Sequence, residues 1–228
     1  MVDLIRWPEA AKVDRVIPKE RLYSATNAGA ALKQRFVDEV HRARWGYKLG
    51  EESLRLAPGE FVTEIQVVVV DLKGSKLDNS VLACIDQAIP SQIVFELRRE
   101  CGPEGELSMA AAYKRAGGRP KGADYLHSEW IASGQPRIPL PTALDLDGLY
   151  TQLLARLLPY ALRPGELLSD ALDRMAHIRG LRREIAGLEK QLRSEPQLNR
   201  KMELRARIME QTKVLTELTK PAPSNGDG

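Results

Sequence analysis

The C-terminal quarter of the chain carries two runs of apolar residues at coiled-coil spacing, and this pattern constrains the fold more than any other. The first run has steps of three, four, three and four, at Ile178, Leu181, Ile185, Leu188 and Leu192. The second run, with one polar member, is Leu204, Ile208, Gln211, Leu215 and Leu218. Such steps place side chains along one seam of a helix. The sequence therefore predicts an antiparallel helical hairpin within residues 164–220.

The segment between the two runs predicts the turn of this hairpin. Ser194-Glu195-Pro196-Gln197 interrupts the apolar spacing. Ser194 and Gln197 match a capping box, in which Ser194 caps the second helix and Gln197 reaches back to it. The match predicts a tight turn and indicates no function.

A hairpin of this kind is expected to present more apolar and basic surface than its own packing needs, which indicates a partner-binding protein. The residues predicted to bind the partner are Ile178, Leu181, Ile185, Leu188, Leu192, Leu204, Ile208 and Leu215. Between residues 170 and 220, twelve Lys and Arg face eight Asp and Glu. If the hairpin binds nucleic acid instead, the residues expected to do so are Arg179, Arg182, Arg183, Arg200, Lys201 and Arg205. A solvated charged face is the ordinary explanation of such charges.

The remainder of the chain predicts a small body of mixed secondary structure. Strands are expected at 61–72, 92–98, 107–114 and 125–131, and helices at 27–45, 78–89 and 147–162. The strand at 61–72 is apolar on both faces in its middle, so it is expected to be central and covered on two sides. The fold class is α+β or α/β, with a mixed sheet of about four strands packed by helices.

The same patterns predict how the 228 residues are divided. The predicted segments are an N-terminal arm (1–24), an α/β body (25–135), a connector and helix (136–163), the hairpin (164–220) and a disordered tail (221–228).

Composition gives no support for a metal, a cofactor or a membrane. Cys84 and Cys101 are the only cysteines, and their spacing suits no metal motif. No apolar run reaches the length of a signal peptide or a membrane span. The net charge of +3 is weak evidence for nucleic acid by itself. We therefore expect a cytoplasmic protein without a cofactor.

One candidate catalytic pair lies at the end of the central strand. Asp71 and Lys73 share a face because side chains alternate along a strand, and a D-x-K at a strand end is half of the site of restriction-endonuclease-like nucleases that use Mg²⁺. The second carboxylate is missing, since Glu64 points to the opposite face at the far end of the strand. Acidic and basic residues at strand ends are usually just solvated. The nuclease is therefore an alternative, and the sequence favours a protein without a catalytic site.

Several short strings in a fixed order resemble one bacterial family, domain of unknown function forty-three ninety-one, from about Arg15 to Leu218. The strings begin at Ile17, Phe36, Tyr47, Glu64, Ile89, Ser128, Leu140, Leu188 and Asn199. The resemblance implies a gene neighbourhood that contains a DNA methyltransferase and a helicase of the type III restriction kind. It provides no catalytic residues.

Together these observations predict a non-catalytic accessory subunit of a bacterial restriction-modification or phage-defence complex. The C-terminal hairpin is expected to contact a methyltransferase, a helicase or a second copy of the chain. The two alternatives are the Mg²⁺-dependent nuclease and a DNA-binding module that uses the basic hairpin.

Overall fold

The computed structural model describes residues 4–102, 104–114 and 125–220. These residues form two compact units, divided between Leu158 and Pro159. The strands are β1 Leu4–Ile5, β2 Lys12–Val16, β3 Val40–Leu49, β4 Ile65–Leu72, β5 Gln92–Arg99, β6 Glu106–Ala112, β7 Tyr125–His127, β8 Ile131–Ala132 and β9 Arg137–Ile138. The helices are α1 Lys19–Thr26, α2 Ala30–Glu39, α3 Glu51–Leu54, α4 Asn79–Ala88, α5 Leu146–Ala155, α6 Leu168–Ser194 and α7 Leu198–Thr219. The tail at 221–228, predicted to be disordered, lies outside the described residues.

The first unit is built on a mixed sheet in which the described strands follow the order β2-β3-β4-β5-β6-β7, with β8 also paired to β6. The β4 and β5 strands are parallel and are joined through α4, whereas the other described pairs within this sheet are antiparallel. This confirms the predicted mixed α+β fold, although the expectation of about four strands was too low. The additional strands of this sheet are β3, which is ten residues long and lies between β2 and β4, and the shorter β2 and β8.

The central strand β4 explains why the sheet is covered on both sides. Val67, Val68, Val69 and Val70 are all buried, and they alternate between the two faces. One face packs against α1, α2 and α4 in a single hydrophobic cluster. On the other face lies α5, whose Tyr150 donates a hydrogen bond to the backbone oxygen of Ala112 at 2.8 Å.

The N-terminal segment is part of this second layer. Strand β1 pairs in parallel with β9 as a separate two-stranded sheet, with Leu4 opposite Arg137. Leu4, Ile5 and Trp7 are buried. The segment predicted as an arm therefore supplies core residues.

The helix predicted at 27–45 was wrong beyond Glu39, because Val40–Leu49 forms strand β3. Strand β3 pairs with the mostly apolar strand β4 from one end of β3 to the other. Its register shifts twice, between Val40 and Arg42 and between Trp45 and Tyr47. These bulges disturb the two-residue alternation that would have indicated a strand.

The second unit contains the helical hairpin, and α6 and α7 contact each other as predicted. The capping box predicted at its turn was wrong. The hydroxyl of Ser194 donates back into the last turn of α6, to the oxygen of Gln191 at 3.2 Å. Gln197 occupies the N-cap of α7 without a side-chain bond. The carboxylate of Glu195 accepts from the backbone N–H of Gln197 at 3.0 Å.

Candidate functional site: an arginine-rich cleft and the hairpin surface

The first unit contains a cleft of about 630 Å³ beyond the carboxyl ends of the parallel strands β4 and β5. Clefts at this position of a sheet with parallel strands commonly hold ligands. The cationic residues that line it are Arg42, Arg44, Lys73, Arg98, Arg99 and Arg137. The acidic residues that line it are Asp71, Glu100, Glu104 and Glu106. Arginine and lysine therefore outnumber the carboxylates.

The sheet register places two arginines on either side of one carboxylate. Arg42 on β3 is opposite Asp71 on β4, and Asp71 is opposite Arg98 on β5. Residues opposite each other in a sheet share a face. Nε of Arg42 donates to Oδ2 of Asp71 at 3.1 Å. The carboxylate that sequence reasoning singled out is therefore already held by an arginine.

A second arginine approaches the same carboxylate from the next position along β3. Nε of Arg44 lies 3.7 Å from Oδ2 of Asp71. That nitrogen is buried and has no hydrogen-bond partner among the described residues. The other end of the guanidinium donates to Asp14 at 2.8 Å. Asp14 has a φ of 48° at a register shift in β2, and this bulge places its carboxylate beside Arg44.

Lys73 lines the cleft but is directed to α2. Its Nζ donates to the backbone oxygen of Val37 at 2.6 Å, and its backbone N–H donates to the oxygen of Glu39 at 2.9 Å. Glu64 lies at the opposite end of β4, where it pairs with Lys48 at 2.9 Å. Among the described residues, no group of three or more His, Cys, Asp or Glu side chains is arranged to hold a metal ion. The nuclease remains a prediction.

A buried glutamate anchors the layer beside the cleft. Glu96 on β5 is 2% exposed. It accepts hydrogen bonds from Nε1 of Trp7 at 2.9 Å, from Arg137 at 2.9 Å and from Arg98 at 2.7 Å. Burial alone would raise the pKa of Glu96, but the hydrogen bonds and charge of Arg137, with help from Arg98 and Trp7, hold it below its usual range. The ionised Glu96 side chain thus connects the main sheet to the β1–β9 segment through hydrogen bonds.

A second buried carboxylate, that of Asp86, lies in the last turn of α4. Asp86 lies 2.6 Å from Nζ of Lys114 and accepts from the hydroxyl of Tyr125 at 2.7 Å. Burial raises the pKa of Asp86, and Lys114 and Tyr125 oppose that rise. Lys114 also donates to the backbone oxygen of Ile89 at 3.1 Å. These bonds satisfy carbonyl groups at and just beyond the helix end, which makes the cluster structural.

The predicted seam lies mostly out of solvent. Ile178, Leu181, Leu188 and Leu204 are buried. The half-buried members are Ile185, Leu192, Ile208 and Leu215. At the open end of the hairpin, Arg174 and Glu166 form a nearly buried ion pair with an Nε to Oε1 distance of 2.7 Å. The hydrogen bond from Arg174 lowers the pKa of Glu166.

Large apolar side chains are left exposed on α7. Leu198 is 69% exposed, Met202 61% and Met209 74%. A shallow and mostly apolar groove is lined by Ala206, Met209, Glu210, Thr212, Lys213 and Thr216. The signal for this surface was in the sequence, because the steps from Leu198 to Met202 and on to Met209 are four and seven residues. The seam gives the stronger signal because its spacing repeats more regularly.

The predicted basic residues are mainly on the surface of the hairpin. Arg179, Arg182, Arg183, Arg200 and Arg205 are exposed, and Lys201 is half-buried. The guanidinium of Arg182 lies 5.9 Å from the ring centroid of Tyr160 and also bonds its hydroxyl. Arg200 lies 3.6 Å from Glu195 at the turn. None of the described helices is both long enough and apolar enough to cross a membrane.

The fold defines an α+β protein with a C-terminal helical hairpin. Within that class, the chain belongs to the family Domain of unknown function (DUF4391), whose model matches residues 5–215. This confirms the resemblance seen in the ordered strings. No curated protein and no solved structure matches the chain.

Proposed function

We propose that the protein is a non-catalytic accessory subunit of a bacterial restriction-modification or phage-defence complex and works in the cytoplasm. The proposal rests on the surface of α7. The seam holds the hairpin together, and yet Leu198, Met202 and Met209 stay in solvent on the same helix. Clustered exposed apolar side chains commonly mark a protein-protein contact.

The predicted partner is a DNA methyltransferase or helicase of the same system, and a second copy of the chain is the alternative. All eight predicted partner-binding residues are buried or half-buried. The neighbouring exposed stripe of Leu198, Met202 and Met209 is therefore the part of the hairpin best placed to touch a partner first. Methionine suits such a role because its flexible side chain adapts to the facing surface.

Co-expression with the products of the flanking genes tests this proposal. The tagged chain should retain a methyltransferase or helicase through affinity and size-exclusion chromatography. The double variant M202E/M209E should lose that partner, since it places two charges in the contact.

The matched control is Leu144→Glu in the first unit, where an apolar side chain that is 96% exposed also becomes acidic. This control should retain the partner. A chain that elutes as a lone monomer in the presence of its neighbours, or a double variant that still retains the partner, contradicts the proposal.

DNA binding by the hairpin is a second candidate, supported by the exposure of Arg179, Arg182 and Arg183 on one stretch of α6. Phosphate contacts from such residues predict an affinity that falls steeply with salt. The variant R182E/R183E should weaken binding of a labelled duplex and flatten its salt dependence.

The Mg²⁺-dependent nuclease is a third candidate and has a direct test. DNA would be incubated with Mg²⁺ and the wild type, Asp71→Ala or Lys73→Ala. Cleavage that is unchanged in both variants would eliminate it.

A further inference from the structure

We propose that the cleft at the carboxyl ends of β4 and β5 binds a phosphate group. The first observation is the row Arg42, Asp71, Arg98 across three neighbouring strands. Strands lie about 4.8 Å apart, so the two arginines start about 9.6 Å apart on either side of the carboxylate. Long side chains at this separation can close on one anion from two directions.

The second observation is that the guanidinium groups are only partly used. Arg42 donates to Asp71 through Nε, and its two terminal nitrogens have no partner among the described residues. Arg98 donates through Nε and one terminal nitrogen to Glu96, and its other terminal nitrogen has no such partner. A planar guanidinium presents its donors in a fork that matches phosphate oxygens.

The third observation is the buried Nε of Arg44, which has no hydrogen-bond partner among the described residues. Buried donors without a partner are rare and call for a ligand or water. Arg44 lines the same cleft as Arg42 and Arg98. Its Nε faces Asp71 across 3.7 Å, so the charge of Arg44 is incompletely neutralised and adds to the positive field of the cleft.

Charge favours phosphate over a cation or a neutral ligand. Arg42 and Arg44 approach the carboxylate of Asp71, and Arg98 and Lys73 line the same cleft. Of the other carboxylates in the cleft, Glu106 is paired with Arg99, whereas Glu100 and Glu104 are exposed at the rim. The buried Glu96 beside the row is neutralised by Arg137 and Arg98. Asp71 holds the arginines in place and at the same time weakens the field that an anion meets, so its removal should strengthen binding.

The ligand chemistry is phosphate, and its source is either a small phosphorylated molecule or the backbone of a nucleic acid. Pyrophosphate is titrated by calorimetry for the first source, and a labelled duplex is followed by fluorescence anisotropy at several salt concentrations for the second. The variants are Arg42→Gln, Lys73→Gln and Asp71→Asn, each checked for folding by circular dichroism. The matched control is Arg21→Gln, which changes an exposed arginine of α1 that does not line the cleft.

Arg42→Gln should weaken binding about tenfold, as expected for a lost charge-assisted hydrogen bond. Lys73→Gln should weaken binding less, because Nζ of Lys73 is held by the backbone oxygen of Val37 and contributes only its positive charge to the cleft. On DNA they should also reduce the slope of affinity against salt by about one unit. Asp71→Asn should tighten binding, and Arg21→Gln should leave it unchanged. Lys73 is exposed beyond the end of β4, so its variant provides a readout even if Arg42→Gln fails to fold.

The two sources and the hairpin alternative give different patterns. Pyrophosphate binding that responds to the cleft variants supports a small phosphorylated ligand, and the same response on the duplex supports nucleic acid. Duplex binding that is lost only in R182E/R183E, with the cleft variants neutral and pyrophosphate unbound, overturns the proposal. So does the absence of both kinds of binding at low salt. The M202E/M209E test concerns only the hairpin surface and the accessory-subunit proposal. Its failure would therefore not contradict phosphate binding in the cleft, and the reverse also holds.

Discussion

The buried carboxylate of Glu96 gives the sharpest stability test of the first unit. The substitution Glu96→Gln keeps the size of the side chain but removes its charge. It also replaces one accepting oxygen with an amide N–H₂ group, which faces side chains that are themselves hydrogen-bond donors. Arg137 is 26% exposed at its side chain and would lose its counter-charge, and Trp7 would compete for one remaining acceptor. Breaking a buried ion pair from one side costs about 3 kcal/mol. For a unit of this size, that loss lowers Tm by about 9 °C.

The assay is chemical denaturation followed by tryptophan fluorescence. All three tryptophans, Trp7, Trp45 and Trp130, lie in the first unit, so the signal reports on that unit. The matched control is Glu106→Gln on neighbouring β6, whose carboxylate is 28% exposed and pairs with Arg99. This pair is half-buried on both sides, so its loss should cost about 1 kcal/mol, well below the cost expected at Glu96.

The dependence on pH separates a charge effect from a packing effect. Because the pKa of Glu96 is lowered in the folded state, its ionised form stabilises the fold above the unfolded pKa of about 4.3. This stabilisation is lost as pH falls through the lower folded pKa. The gap between wild type and Glu96→Gln should therefore be constant from pH 7 to about 5 and narrow at lower pH. A gap below about 1 kcal/mol at pH 7, or one that does not change with pH, refutes the reasoning.

Three further outcomes follow from the same structure. Tyr150→Phe removes the hydrogen bond to Ala112 and should lower the free energy of unfolding by about 1 kcal/mol in denaturation curves, whereas an unchanged curve would contradict that bond. Leu204→Ala should cost about 3 kcal/mol, seen as faster amide exchange along α7 with the first unit unaffected. Cys101 is exposed and should react quickly with a thiol reagent, whereas Cys84 should react slowly because burial raises the pKa of its thiol; equal rates would contradict the described burial.

The parts of the fold that were predictable from sequence are those in which one segment carries its own signal. The strands β4 and β5 and the helix α4 were found because apolar residues cover whole faces of each. The hairpin was found because its spacing repeats. Strand β3 was missed because its bulges break the alternation, and because its first residues continue the apolar stripe of α2 through Val40.

The candidate site was only half predictable for a related reason. Asp71 and Lys73 form a local motif, and both line the cleft. Arg42 and Arg98 are 29 and 27 positions away from Asp71, and only the sheet register places them beside it. The Glu96 cluster joins positions even farther apart, since Trp7 is 89 residues from its acceptor. Spacing patterns in a sequence relate residues that are only a few positions apart. Strand pairing brings together residues that are much farther apart in the chain.

The parallel pairing of β1 with β9 has a consequence for synthesis of the chain. Leu4 pairs with Arg137, so the β1 segment must remain unpaired during synthesis until residue 138 has emerged from the ribosome. Closing so long a loop is slow. During that interval Leu4, Ile5 and Trp7, all buried in the finished fold, are open to solvent and to chaperones. The first unit is thus completed only when strand β1 docks against β9.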